Sequence, residues 1–180
     1  MKMPHKQRGI ALVISLIMLL MMTLLGLSAM NTSLMEEKMA GNSRDVELAF
    51  QAAETALRDA EIWLADQVNE PADTSTGTNR VWSPDSLDPD TGNAVSWWQE
   101  PQRNKVWWDA STAEYATTII NINSKPRNVI EYREFIPDTL LIGEGSTSDE
   151  GMTYYQVTAR GTGGSDQARV LIQTTTARRY

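Results

Sequence analysis

Between Arg8 and Glu36 the chain carries 27 consecutive residues without a charge, and no other feature narrows its architecture so far. The centre of that run, Ile10 to Met30, reads IALVISLIMLLMMTLLGLSAM. Its 21 residues match the roughly 20 that an α-helix needs to cross a hydrocarbon layer. Ahead of it lie Lys2, Lys6 and Arg8, with His5 and no acid. Such cationic flanks stay on the cytoplasmic side, so everything after Met30 is expected to be exported. Three architectures are open: a plain single-span anchor, a cleaved secretory signal, and a leader removed from in front of the apolar run. A secretory signal has an apolar core of about 7 to 15 residues followed by small residues, and Gly26, Ser28 and Ala29 could supply these. The third architecture is favoured by Gly9, which stands directly before the apolar run and not after it.

A simple anchor should be followed by a flexible linker, and none is present. No proline occurs from Ile10 to Gln67, helix-favouring residues dominate the second half, and Pro71 is the first firm stop. Val46, Phe50, Ala53, Leu57, Ala60 and Leu64 are spaced alternately by four and three residues and predict one apolar helical stripe. Glu47, Glu54, Arg58, Asp59 and Glu61 fall off it as a solvated face, with Glu54 and Arg58 in the favourable i, i+4 order. A continuous helix over Ile10 to Gln67 has 58 residues and would be about 87 Å long. Gly26 and Gly41 are its weak points, where a bend or local unwinding is expected.

The exported part divides in two. Residues 68–115 are rich in Pro, Asp, Ser, Thr, Gly and Asn and read as loops. Five of the six tryptophans fall there: Trp82, Trp97, Trp98, Trp107 and Trp108. They either pin a long loop onto the domain or, for Trp97, Trp98, Trp107 and Trp108, form an aromatic surface for a partner. Residues 116–176 contain four strand-like runs: Ala116 to Ile122, Asn128 to Ile136, Thr153 to Arg160 and Ala168 to Thr176. The last two flank the Gly-rich turn GTGGSDQ and predict a hairpin. The class is therefore α+β, a small antiparallel sheet with one face turned to the helical stripe.

Composition excludes several chemistries. A net charge of −7 without a basic patch argues against a nucleic-acid partner, since phosphates must be neutralised by Lys and Arg. Cysteine is absent, and the single histidine, His5, lies before the apolar run, so Ser-His, Cys-His and thiolate or imidazole metal sites are not available to the exported part. No Gly-rich phosphate loop follows a strand. Asp149 and Glu150 are read as a solvated pair. Asp88, Asp90 and Gly92 within DPDTGN loosely resemble a calcium loop, but the closing bidentate acid is missing. No metal, cofactor or catalytic set is expected, and the chain is not expected to be an enzyme.

The stretch RGIALVISLIMLL, followed by EEKMAGNSRDVELAFQAAETALRDAE from Glu36 to Glu61, resembles the N-terminal region of the PilX family, minor pilins of bacterial type IV pili. The resemblance implies the type IV pilin fold, a long N-terminal helix whose exported half packs on an antiparallel sheet. It implies four segments: a leader at residues 1–9, a membrane helix at 10–30, an amphipathic half at 31–67 and a periplasmic domain at 68–180. Gly9 is similar to the prepilin peptidase site, with cleavage before Ile10 and N-methylation of Ile10, where most members have Phe. Loss of Lys2, Lys6 and Arg8 would leave 13 basic against 23 acidic residues, a balance of −10. Most pilins also carry a glutamate at the place held here by Ile14, which pairs with a neighbouring subunit's amino terminus. Its absence implies a subunit of the priming and tip complex. The implied partners are other minor pilins, the major pilin, a PilY-type tip adhesin and prepilin peptidase, at the inner membrane and then at the pilus tip, in support of adhesion and twitching motility. A K-type pseudopilin of type II secretion, which likewise lacks the glutamate, and a single-span periplasmic scaffold are the alternatives.

Overall fold

The computed structural model describes residues 8–138 and 151–180, with side chains from Ile10 onward. Lys2, His5, Lys6, the Arg8 side chain, Asp149 and Glu150 lie outside the described residues. Two compact units divide the chain, the first ending at Ser43 and the second running Arg44–Tyr180. Helix α1 (Arg8–Asp66) contributes to both. Its hydrogen bonding continues through Gly26 and Gly41, so neither glycine unwinds it. At its C-terminus the Gln67 side chain donates to the Trp63 carbonyl at 3.0 Å, satisfying one of the free terminal acceptors, and Pro71 follows shortly after.

In the second unit a five-stranded sheet forms from β1 (Val81–Trp82), β2 (Ala113–Glu114), β3 (Arg127–Pro137), β4 (Gly151–Thr162) and β5 (Arg169–Arg178). The β3–β4 and β4–β5 ladders are antiparallel, and the predicted hairpin closes at Thr162 and Arg169. The outer edge of β3 is shared: β1 pairs in parallel at Ile130 and Glu131, and β2 pairs antiparallel at Arg127 and Asn128. The sheet is therefore mixed through one two-residue strand. Helix α2 (Lys105–Ser111) lies in the loop-rich stretch, capped by the Asn104 side chain, which accepts from the Trp107 amide at 3.2 Å.

The run Ala116 to Ile122 is not a strand. It bends and turns instead, with Asn121 at φ 67° and Ile120 exposed. Its β-branched residues suit a pleated surface, but β1 and β2 already pair with the outer edge of β3 at Arg127, Asn128, Ile130 and Glu131, the part nearest this run in the chain.

Alternation along the strands sorts their side chains onto two faces. Val81, Ile130, Tyr155 and Val157 pack with Ala60 and Leu64 of α1. Their neighbours Trp82 and Val129 turn the other way and join Leu87, Trp97 and Trp108. The sheet is thus covered on both faces, by the helix and by a tryptophan layer.

The buried face of α1 consists of Ala49, Ala52, Ala53, Ala56, Ala60 and Leu64, with Leu57 partly buried. Ala53, Leu57, Ala60 and Leu64 of the expected stripe therefore lie against the sheet, but Val46 and Phe50 do not, at 51% and 48% exposed. The reason is distance. A Cβ on Gly161 of β4 would lie 2.1 Å from the Ala49 carbonyl oxygen and 2.3 Å from the Ala53 nitrogen. Where helix and strand backbones approach this closely only alanine fits between them, and the contact face rotates away from the larger side chains.

The hairpin tip is fastened to the same helix. Asp45 accepts from the Gly164 amide and, at 2.6 Å, from the Ser165 hydroxyl. A Cβ on Gly163 would collide with the Asp45 carbonyl. The Ser165 hydroxyl, ahead of an opposing cost of burial and the Gly164 and Ser165 amides, holds the Asp45 carboxyl below the usual aspartate value. A lowered folded value means stability that is present above the unfolded pKa, near about 4, and lost as pH falls through the folded value. In acid titration of thermal stability, Asp45→Asn is expected to remove part of the wild-type decline below about pH 4. An unchanged decline would show that the clamp does not hold the tip in solution.

Candidate functional site

In the first unit α1 is the one helix, among the described residues, long and apolar enough to cross a membrane. Its large side chains from Ile10 to Met39 are all exposed, Ile14 among them at 51%. Three hydroxyls in this stretch bond within the helix. Ser15 donates to the Leu12 carbonyl at 2.9 Å, Thr23 to Leu20 at 2.7 Å and Thr32 to Ser28 at 3.1 Å. These three hydroxyls seek no partner in hydrocarbon, and the helix from Ile10 to Met30 presents a largely apolar surface to lipid or to other helices. The backbone of Gly9 lies in the first turn, immediately before exposed Ile10.

The second unit offers a different surface. Beside the helix, Gln51, Glu54, Thr55, Arg58, Asp59, Ile62 and Tyr115 line a groove of about 450 Å³. Ile62 is exposed there, as are Val46 and Phe50 on the same unit. Val46 and Phe50, one turn apart, leave apolar surface outside the sheet contact, while Ile62 lies on a different side of the helix. Ile62 has no place in the 4-3 stripe, so its sequence position alone did not mark it.

Beneath the groove a polar knot fastens helix to sheet. Arg80, at φ 66°, donates to Asp59 at 3.0 Å and to the Asn128 side-chain oxygen at 3.2 Å, and stacks over Trp63 at 4.9 Å. Buried Asn128 in turn donates to the Ala56 carbonyl at 2.9 Å. Three contacts hold arginine in a left-handed conformation that otherwise suits glycine. Only Asp59 of this set stands out in the sequence, and there as a surface charge, because the partners lie 21 and 69 residues away from it.

The tryptophans form one layer. Trp97 and Trp108 are buried and stacked at 5.8 Å; Trp98 and Trp107 are half-buried, edge-on to Trp97 at 5.6 Å and 6.0 Å. Glu131, under this layer, accepts from the Asp85 amide at 3.1 Å, while burial pushes its carboxyl pKa up. The indole faces of Trp97 and Trp108 are therefore spent on packing, and only Trp98 and Trp107 retain surface that another molecule could touch.

The loop Asp88 to Asn93 turns its oxygens inward. Asp88 accepts from the Asp90 amide at 3.0 Å, Asp90 from the Gly92 amide at 3.1 Å, and Asn93 from the Val95 amide at 2.7 Å. These are local turn bonds, and among the described residues no three His, Cys, Asp or Glu converge as a metal cage.

A membrane-length helix continuing onto a small mixed sheet is an arrangement for anchoring and lateral association. The PilX N-terminal family matches residues 8–58, and the family described as type IV pilus assembly protein PilX C-term matches residues 64–178. Neither the curated proteins nor the solved structures give a match. The two family matches together cover the apolar helix, its alanine face, the tryptophan layer and the sheet, and the chain belongs to the PilX family of type IV pilus assembly proteins.

Proposed function

We propose that this protein is a minor pilin of the complex that primes pilus assembly and remains at the pilus tip, where it supports adhesion and twitching motility. On this reading prepilin peptidase cuts between Gly9 and Ile10, Ile10 is methylated, and before assembly the C-terminal domain stands in the periplasm. The partners are other minor pilins, the major pilin and a PilY-type adhesin. One observation carries the reading. Ile14 is an exposed apolar residue in a run with no acid before Glu36. A subunit in mid-filament whose neighbour brings a charged amino terminus needs a carboxylate there, because an unpaired ion in an apolar core is costly. A subunit with nothing ahead of it has no such need. Immunogold labelling of the wild-type protein is expected to mark pilus ends and the cell envelope. Even labelling along the shafts would overturn the tip position.

A further inference from the structure

We propose that the pocket between the tryptophan layer and the β4–β5 ladder binds a carboxylate presented by a protein partner, an aspartate or glutamate side chain of a second assembly subunit. The pocket has a volume of about 530 Å³, within the range of ligand sites. Its central group is Arg160, only 7% exposed. Among the described residues its guanidinium makes no ion pair or hydrogen bond, and its one polar contact is with the Trp108 ring at 5.7 Å. The residue opposite it on β3, Arg127, shows what a partnered arginine looks like here: it meets Glu114 at 2.7 Å and Asp109 at 3.3 Å. Asp109 and Asp166 attract Arg160 only at longer range, and a buried cation with no direct ion pair is unfavourable unless something supplies one. Burial, and next the nearby Arg169 charge, lower the Arg160 pKa, so both effects act against the charged form that an incoming anion would stabilise.

The remaining walls narrow the ligand. Arg103 and Arg169 also line the pocket, with Lys105, which is already paired to Asp109 at 2.7 Å. Arg103 is held by the Leu87 carbonyl at 2.8 Å and lies over Trp107 at 4.3 Å, with no direct ion pair among the described residues and Asp88 acting on it only at longer range. The opposing charge at the rim is Glu100, 8% exposed and accepting from Asn93 at 2.7 Å. Asp109 and Asp166 also act on Arg160 from outside the pocket. These acids disfavour a dianion more than a monoanion. Trp98 and Leu171 give apolar walls against which the methylenes of an acidic side chain can pack, while the planar guanidinium matches a carboxylate. This inference rests on membership of an assembly family and not on a tip position.

The test uses the full-length chain in detergent micelles and the probe acetyl-Ala-Glu-Ala-amide, with tryptophan fluorescence and calorimetry as readouts. Saturable binding is expected, weakened at least about tenfold in Arg160→Met, in Arg169→Gln and for the probe with Gln in place of Glu. Arg169 is exposed, so its variant keeps the test decisive if Arg160→Met folds poorly. Absence of saturable binding, or binding indifferent to Arg169→Gln, overturns the site. Inorganic phosphate or glucuronate binding as tightly as the peptide overturns the protein-borne carboxylate. Because binding is read on the isolated chain, its failure is separate from a failure to find the protein at pilus ends.

Discussion

Replacing Gly161 with valine is expected to destabilise the Arg44–Tyr180 unit by more than about 3 kcal/mol, at or beyond the upper end of ordinary overpacking. The Cβ alone would come within 2.1 Å of the Ala49 oxygen, 2.3 Å of the Ala53 nitrogen and 3.0 Å of the Ala52 carbonyl carbon. All three are helix backbone atoms, which cannot swing aside as a side chain can. α1 must therefore withdraw from β4, opening space along Ala52, Ala53, Ala56 and Ala60 and losing dispersion contacts along that whole line. Gly161→Ala should already lower the melting temperature by roughly 4 to 10 °C, at about 2 to 4 °C per kcal/mol for a chain of this size. Gly26→Ala and Gly41→Ala are the controls. A Cβ at either meets nothing within 4 Å, so each should be neutral or stabilise the helix by up to about 1 kcal/mol. If Gly161→Ala melts with the wild type, helix and strand are farther apart than described.

The contrast between these glycines explains how much of the fold was legible. Position in the chain gave α1, because a 27-residue uncharged run followed by a proline-free stretch leaves the backbone few alternatives to a helix. Alternation gave β3, β4 and β5, and the Gly-rich turn gave their hairpin. Periodicity misplaced the helix contact, because hydrophobic patterns weight large residues, whereas an interface at backbone contact distance selects small ones; Val46 and Phe50 were included and Ala49, Ala52 and Ala56 were not. The short strands β1 and β2 carry no pattern of their own and pair along one edge of β3, while Ala116 to Ile122 has the pattern and pairs with no strand among the described residues. The pocket around Arg160 was hidden for a related reason: a lone arginine in an alternating strand reads as surface. Only the tryptophan layer, assembled from residues up to 26 positions apart in chain order between Trp82 and Trp108, turns that surface into an interior.

Gly9→Leu is expected to abolish leader removal and, with it, the appearance of this subunit in sheared pilus fractions. The cause is electrostatic as well as enzymatic. On the proposed reading, a cut before Ile10 would remove Lys2, Lys6 and Arg8 together, and the apolar helix that remains could leave lipid sideways into a bundle of similar helices. With the proposed orientation, an uncut chain would still hold three cations on the cytoplasmic side. Drawing each through the bilayer centre costs roughly 2.5 to 3.5 kcal/mol on insertion scales, a combined opposition of about 8 to 10 kcal/mol. The variant should accumulate in the membrane fraction as a chain nine residues longer, beginning at Met1, whereas the wild type should begin at a methylated Ile10. Intact mass and N-terminal sequencing separate the two. A wild-type chain beginning beyond Ala29 would show a secretory signal in place of a pilin leader, and a Gly9→Leu chain processed normally would move the cut elsewhere. Restoring export while leaving the leader uncut, by changing Lys2, Lys6 and Arg8 to glutamine in the Gly9→Leu background, distinguishes the charge barrier from a need for the free amino terminus: partial return to the pilus fraction supports the barrier, and continued absence assigns the effect to the terminus.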